Sequence, residues 1–342
     1  MTPEEKHELI TRNLAEVVDE DRMKEVLKER DLVIYWGTAP TGKPHLGYFV
    51  PMYKIADFLR AGCKVKILFA NMHAYLDNMK STWELLQKRT AYYEFIIKEM
   101  LKRVDVPLDK LEFVKGTDFQ LKDEYTLDMY KMSALASTHD TQKAGAEVVK
   151  QVATPKMSGL LYPILQALDE EYLKVDAQFG GTDQRKIFMF AREFLPKVGY
   201  EKRIHLLNPL VPGLGESGKM SSSEPNSKID FTDSDKSIRK KINKAFSVDG
   251  KTEGNGLLAI MRYIIFRRIE EEGREFVIER PEQYGGTITF SSYGDVEKAF
   301  AKKDLSSIDL KQGMGEEVMK FIAPLREAIE KNKTLHDEAY SN

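Results

Sequence analysis

The order of apolar and polar positions along the chain reads as strands alternating with helices. A charged amphipathic stretch, Pro3 to Glu29, predicts one helix. Leu32 to Trp36 is short and apolar, as a buried strand is, and the turn-rich Gly37 to Pro44 follows it. Phe49, Met52, Ile55, Phe58 and Leu59 then recur at helical spacing, with Pro51 expected to kink the start and Gly62 to end the helix before a second strand, Val65 to Ala70. This is a βαβ unit. A long helix after Trp83, a strand Leu111 to Val114, two or three helices through Val152, a strand Val175 to Phe179, a helix from Asp183 and a strand His205 to Leu210 continue the alternation.

Such alternation predicts an α/β fold with a mostly parallel, doubly wound sheet of the Rossmann-like kind. Ligands of these sheets sit at the carboxyl ends of the strands, near the switch in strand order. The loops to watch therefore begin at Gly37, Ala70, Lys115, Gly180 and Val211. Beyond about Ser223 the pattern changes to helices and loops, with Ser234 to Phe246, Leu257 to Glu272 and Glu316 to Lys331 the clearest helical stretches. The expected division is a first domain of residues 1–223 and a helical second domain of residues 224–342, joined by the polar tract Ser217 to Asp230. No internal repeat is apparent.

Composition sharpens this picture. A chain of 342 residues is long for a single core, which favours two domains. With 42% hydrophobic and 31% charged residues and no low-complexity tract, disordered and fibrous classes are excluded. No apolar run approaches the roughly 20 residues that span a bilayer, and the charged start, Met1 to Arg12, lacks the apolar core of a signal peptide. A cytoplasmic location with no membrane partner is the expectation. The single cysteine, Cys63, cannot form an internal disulfide and sits where a buried strand begins. A net charge of −2 gives no global reason to bind nucleic acid, so any such partner must meet local basic patches. Lys236, Arg239, Lys240, Lys241 and Lys244 form one candidate, although a solvated helix face has the same pattern, and a nuclear-import reading of these lysines stands beside it.

Two tracts carry chemistry. Gly37-Thr38-Ala39-Pro40-Thr41-Gly42-Lys43-Pro44-His45-Leu46-Gly47 places small residues and a histidine at a strand-to-helix junction, where backbone amides attract anions and His45 can donate to a phosphate. Gly47 leaves room for an adenine ring. Downstream of the last predicted strand, Gly218-Lys219-Met220-Ser221-Ser222-Ser223 sets a lysine and three hydroxyls where they can close over a triphosphate; alone, the tract reads more readily as a linker. Between them, Tyr162, Gln166 and Asp169 stand at i, i+4 and i+7, which on a helix is one face. That face offers polar groups for an ammonium and a carboxylate for a hydroxyl, where a core helix would be apolar. An ordinary half-exposed amphipathic helix is the plainer alternative.

A His-x-Gly tract after the first strand and a Lys-Met-Ser-x-Ser tract after the last resemble, in order and separation, the two signatures of class I aminoacyl-tRNA synthetases. Tyr35-Trp36-Gly37-Thr38, Gly159-Leu160-Leu161-Tyr162-Pro163 and Gln178-Phe179-Gly180-Gly181-Thr182-Asp183-Gln184 are similar to the eukaryotic and archaeal tyrosyl-tRNA synthetases, and the resemblance runs from about Ile10 to Leu325. It implies a tyrosine–tRNA ligase that forms tyrosyl-adenylate from L-tyrosine and ATP, then charges tRNA(Tyr). In that family pattern Tyr162, Gln166 and Gln184 hold the amino-acid end, whereas Tyr35 and Asp169 read the phenolic hydroxyl. His73 faces the same pocket or is structural. ATP falls to Gly37, Thr38, Ala39, Thr41, His45, Gly47, Gly181, Asp183, Lys219, Met220 and Ser222. The catalytic groups are His45, Lys219, Ser221, Ser222 and Ser223, with Mg²⁺ on the nucleotide and no protein metal site.

The resemblance further implies a short connecting insertion at about residues 115–152 that forms a homodimer interface. The C-terminal helical domain would read the anticodon through Tyr284 and Asp309. Tyr48 stands where many class I enzymes have a second histidine, and Ser222 where bacterial members have a lysine, which leaves the pyrophosphate one cation short; a potassium ion is the hypothesis. Asn71 stands where many relatives have aspartate and receives no role. Longer animal relatives carry an appended RNA-binding module beyond the point corresponding to Asn342, so affinity for tRNA is expected to rest on the two domains. Three rivals remain. A tryptophanyl-tRNA synthetase shares the fold, but indole has no hydroxyl for Tyr35 and Asp169. A small nucleotidyltransferase lacks a helical tRNA-binding domain and has no use for an amino-acid pocket. A non-catalytic RNA-binding paralogue would not need His45, Lys219 and Asp169 together.

Overall fold

The computed structural model describes residues 1–77, 81–149, 156–216, 220 and 227–340. Six strands form one sheet in the order β1 (Glu16–Val18), β6 (Ile204–Asn208), β5 (Ala177–Gly181), β2 (Val33–Thr38), β3 (Lys64–Phe69), β4 (Leu111–Lys115). All neighbours run parallel except β1, which is antiparallel to β6. After β2 the chain builds outward through β3 and β4, then returns to lay β5 against the other side of β2. The switch in strand order therefore lies between β2 and β5, and a crevice opens at their carboxyl ends.

Side chains alternate across this sheet as the pleat requires. Ile34, Trp36, Val65, Ile67, Ala177, Phe179, Ile204 and Leu206 enter one apolar cluster, against α3 (Phe49–Arg60) and α5 (Trp83–Val104). Tyr35 and Leu68 point the other way, into a second cluster built with α6 (Asp123–Leu135), α7 (Thr138–Gly145), α8 (Met157–Tyr172) and α9 (Arg185–Phe194). The first cluster continues without a break into the C-terminal helices: Phe49 meets Phe321 at 4.4 Å between ring centroids. The expected domain boundary near Ser223 lies outside the described residues.

Several expectations need correction. The helix expected over Pro3 to Glu29 is two, Pro3–Thr11 and Glu20–Glu29, because Asn13 and Asp19 take left-handed backbone conformations (φ 61° and 70°) and the intervening Glu16–Val18 pairs with β6. Pro51 is the third residue of Phe49–Arg60, in the first turn, where its missing N–H has no intrahelical partner to lose and no kink is needed to accommodate it. The C-terminal part is not helices and loops alone, since Phe276–Ile278 (β7) and Ile288–Phe290 (β8) pair antiparallel. Its longest helix starts at Ser307, with Ser306 as N-cap, and runs to Lys331. The helix expected over Leu257 to Glu272 contains a π-helical segment, Met261–Ile265. No described helix is long and apolar enough to cross a membrane.

Candidate functional site

Two adjoining cavities occupy the crevice, one of about 340 Å³ and one of about 820 Å³. Trp36, Thr38, Thr41, Tyr48, Phe179 and Asp183 are among the walls they share. The inner cavity ends on α8, which carries Tyr162, Gln166 and Asp169 on one face, with Tyr35 from β2 and His73 beside them. Gln184, in the turn after β5, accepts from Gln166 Nε2 at 3.1 Å, so the helix and the turn present their amides together.

Asp169 is wholly buried, and its two oxygens differ. Oδ1 accepts from Gln120 Nε2 (2.7 Å) and Tyr125 OH (2.9 Å). Oδ2 has no hydrogen-bond partner among the described residues and lies 3.7 Å from His73 Nε2. Burial raises the carboxyl's pKa to about 7 against the pull of those two donors. His73, edge-on to Tyr162 at 4.7 Å, has both ring nitrogens unpaired among the described residues, and burial lowers its pKa to about 3. Tyr35 OH donates only weakly, to Gln166 O at 3.4 Å, and burial next to Asp169 pushes its pKa well above the usual phenol value. Unsatisfied polar atoms are costly in such surroundings unless a ligand takes them up.

The outer cavity lies over the first signature. His45 caps a short 3₁₀ turn, Leu46–Tyr48, and its Nδ1 accepts from Gly47 N–H at 3.2 Å, so the ring proton belongs on Nε2. Burial, with Lys228 nearby, lowers the His45 pKa to about 3. The ring is therefore a neutral N–H donor. A Cβ at Gly47 would stand 3.0 Å from both His45 Cε1 and Met220 Sδ, so the glycine is what allows the ring to fold back. Met220 lines the cavity, while Lys219, Ser221, Ser222 and Ser223 lie outside the described residues. Gly181 and Asp183 line both cavities. Gly37 and Ala39, expected against the nucleotide, line the inner cavity, which adjoins the outer one.

Sequence reading missed several neighbours. Gln120 and Tyr125 reach Asp169 from elements 49 and 44 residues away. Arg89 of α5 adds a cation to the outer wall, and Gln178 of β5 an amide to the inner one. The segment after the second signature bridges onto the first, His45 to Asp230 and Leu46 N to Ile229 O (2.9 Å), which brings buried Lys228 close to His45. Asn71, given no role above, ties the loops after β3 and β4 together, because its Oδ1 accepts from the backbone of both Met72 and Thr117. In the C-terminal part Tyr284 is 67% exposed, and Asp309 pairs with Arg280. On the basic helix Asp235–Lys244, Arg239 and Lys241 are engaged by Glu316 and Asp233. Among the described residues no group of three or more His, Cys, Asp or Glu side chains could hold a metal ion.

A parallel sheet with its crevice at the β2–β5 switch, a buried histidine donor at the strand-to-helix turn and a closed polar pocket beside it have the architecture of a class I aminoacyl-tRNA synthetase catalytic domain. The family model for "tRNA synthetases class I (W and Y)" matches residues 27–323. The chain is 57% identical to "Tyrosine--tRNA ligase, cytoplasmic" of Gallus gallus over 99% of its own length and 64% of that protein's. It is 50% identical to the protein of the same name from Saccharomyces cerevisiae (98% and 86% of the two lengths). Among solved structures, tyrosyl-tRNA synthetase from Archaeoglobus fulgidus, complexed with L-tyrosine, superimposes with a TM-score of 0.87 at 32% identity, covering 96% of this chain and 99% of that one. The chain belongs to the class I tyrosyl-tRNA synthetases of eukaryotic and archaeal type. It spans just under two thirds of the length of the vertebrate relatives it matches.

Proposed function

We propose that the chain is a tyrosine–tRNA ligase: it activates L-tyrosine with ATP, releasing diphosphate, and passes the tyrosyl group to the 3′-terminal adenosine of tRNA(Tyr), releasing AMP. The observation that carries this reading is Asp169, sealed at the inner end of the pocket with one oxygen held by Gln120 and Tyr125 and the other left unpaired beside His73. A phenolic hydroxyl donating to Oδ2, with Tyr35 alongside, completes that carboxylate. Phenylalanine would leave it desolvated and unpaired, a discrimination for which the tyrosyl-tRNA synthetases are themselves the known example. Gln166, Gln184 and Tyr162 take the ammonium end.

The tyrosine carboxylate is already ionised and attacks the α-phosphate directly, so no protein nucleophile is needed. The protein positions the reactants and stabilises charge that develops on the phosphates. His45 serves through Nε2–H, and the backbone around Thr38, Thr41, Gly47 and Gly181 leaves room for the nucleotide, with Asp183 accepting from the ribose. Lys219 and the hydroxyls of Ser221 to Ser223 join it on the triphosphate, and Met220 packs at the cavity wall. Mg²⁺ arrives as part of the nucleotide substrate, and a K⁺ ion would supply the positive charge that a lysine at the position of Ser222 brings in bacterial members. Residues 1–223 form the catalytic unit and 224–342 the anticodon reader, with Tyr284 stacking on and Asp309 accepting from unpaired bases. The exposed Leu121, Leu127, Tyr130 and Leu135 on and around α6, in the insertion, support a homodimer interface there. The cytoplasm is the proposed location.

Pyrophosphate exchange with ATP, magnesium and tyrosine, tryptophan or phenylalanine tests the reading. Exchange with tyrosine alone, lost in Asp169→Ala, is expected. No exchange with any amino acid would refute it. Replacing potassium by sodium in the same assay tests the role of the monovalent ion.

A further inference from the structure

Arg280 follows β7 by two residues and turns its side chain inward, with 13% of it exposed. Its Nε donates to Gly286 O at 2.9 Å, and its Nη1 donates to Asp309 Oδ2 at 3.4 Å. The intervening turn wraps around the guanidinium. Gly285 takes φ +92°, and a Cβ there would stand 3.3 Å from Arg280 Nη2.

The same region is fixed twice more to the helix Ser307–Lys331. Gln312 Nε2 donates to Glu279 O at 3.1 Å. At Gly313 a Cβ would come within 2.7 Å of Ile278 and 2.8 Å of Phe276, so helix and strand touch with no spacer between them. The turn carrying Tyr284 and the first helical turn carrying Asp309 therefore cannot shift past each other without breaking these contacts. Tyr284 itself projects into solvent. Asp309, whose N–H donates to the Ser306 cap at 3.1 Å, has 20% of its side chain exposed, and its Oδ1 has no partner among the described residues.

We infer that Arg280 is a positioning residue for tRNA recognition, locking the Tyr284 turn and the Asp309 carboxylate into one rigid reader of an unpaired base. The inference rests on the anticodon role proposed above for Tyr284 and Asp309. Such a base stacks on the Tyr284 ring and donates an N–H from its edge to Asp309 Oδ1; a base offering only acceptors there is repelled. The guanidinium suits this role because its planar fork serves two acceptors at once, which an ammonium on a flexible stem does not. Its charge also offsets that of Asp309, since an unpaired carboxylate would repel the RNA backbone.

The test uses the full chain with a tRNA(Tyr) transcript and transcripts substituted singly at each anticodon position, in wild type, Arg280→Gln and Arg280→Lys. Pyrophosphate exchange should stay within about twofold of wild type, which certifies the fold and the catalytic site. Aminoacylation kcat/KM on the unsubstituted transcript should fall about tenfold, through KM, in both variants. The penalty for the anticodon substitution that wild type rejects most should shrink by a similar factor, on the scale of one base-edge contact. An equal fall on every transcript, or full rescue by lysine, would reduce Arg280 to a charge and overturn the inference. So would variants that discriminate as wild type does. A wild type indifferent to all anticodon substitutions would instead sink the anticodon reading itself, and the inference with it.

Discussion

Tyr125→Phe isolates the support beneath the buried Asp169 carboxylate, for which a hydroxyl-reading role is proposed above. The ring is 1% exposed and is kept by the substitution, so no cavity opens; only the hydroxyl goes. That hydroxyl lies 2.9 Å from Asp169 Oδ1 and 2.8 Å from Leu165 O. Leu165 O loses little, because α8 supplies it with a backbone donor one turn on. Asp169 carries the loss, keeping Gln120 alone on Oδ1. A hydrogen bond to a charged group contributes about 1.5–3 kcal/mol, equivalent to roughly 10- to 150-fold in an equilibrium. Losing the donor also pushes the Asp169 pKa further above its already raised value of about 7, so less of it is ionised at neutral pH. In pyrophosphate exchange, kcat/KM for tyrosine should therefore fall at least about tenfold. Any trace of phenylalanine activation at high concentration, which makes no hydrogen bond to the carboxylate, should hold steady, so discrimination narrows by the same factor and part of the loss returns as pH is raised. A parallel fall for both amino acids would mean that the pocket had collapsed, and no change would mean that Gln120 suffices. Either result refutes the reasoning.

Two further perturbations follow from the same geometry. Asp169 has an ordinary carboxyl pKa when unfolded and about 7 when folded, so the folded state binds the extra proton; its contribution to stability is fully present below the unfolded pKa and is lost as pH rises through about 7. Urea unfolding should show wild-type stability falling relative to Asp169→Asn between about pH 4 and 7, by at most roughly 4 kcal/mol, and a pH-independent difference would contradict the raised pKa. His45→Ala should lower the exchange rate roughly 10²- to 10³-fold with tyrosine affinity unchanged. Because the His45 pKa is lowered to about 3, the wild-type rate should show no inflection from this ring between pH 6 and 8; an imidazole titration that disappears in His45→Ala would show that it works as a cation.

The sequence by itself determined the strand-and-helix alternation from Val33 to Asn208, the face of α8 that bears Tyr162, Gln166 and Asp169, and the place of His45 between strand and helix. These are local properties: apolar period, turn residues and side-chain spacing act within a few residues and survive in any fold that uses them. Only the tertiary structure decided that Glu16–Val18 is a strand, because its partner, β6, lies nearly two hundred residues on and nothing in three half-buried residues announces it. It also decided which oxygen of Asp169 is held and which has no hydrogen-bond partner among the described residues, since Gln120 and Tyr125 lie 49 and 44 residues earlier in the chain. Lys228 near His45, and Arg280 between Gly286 and Asp309, belong to the same class. Contacts between elements distant in the chain leave no periodicity behind. They exist only once the sheet has closed its crevice and the C-terminal helix has settled on β7, where burial makes each unpaired charge or amide select its partner.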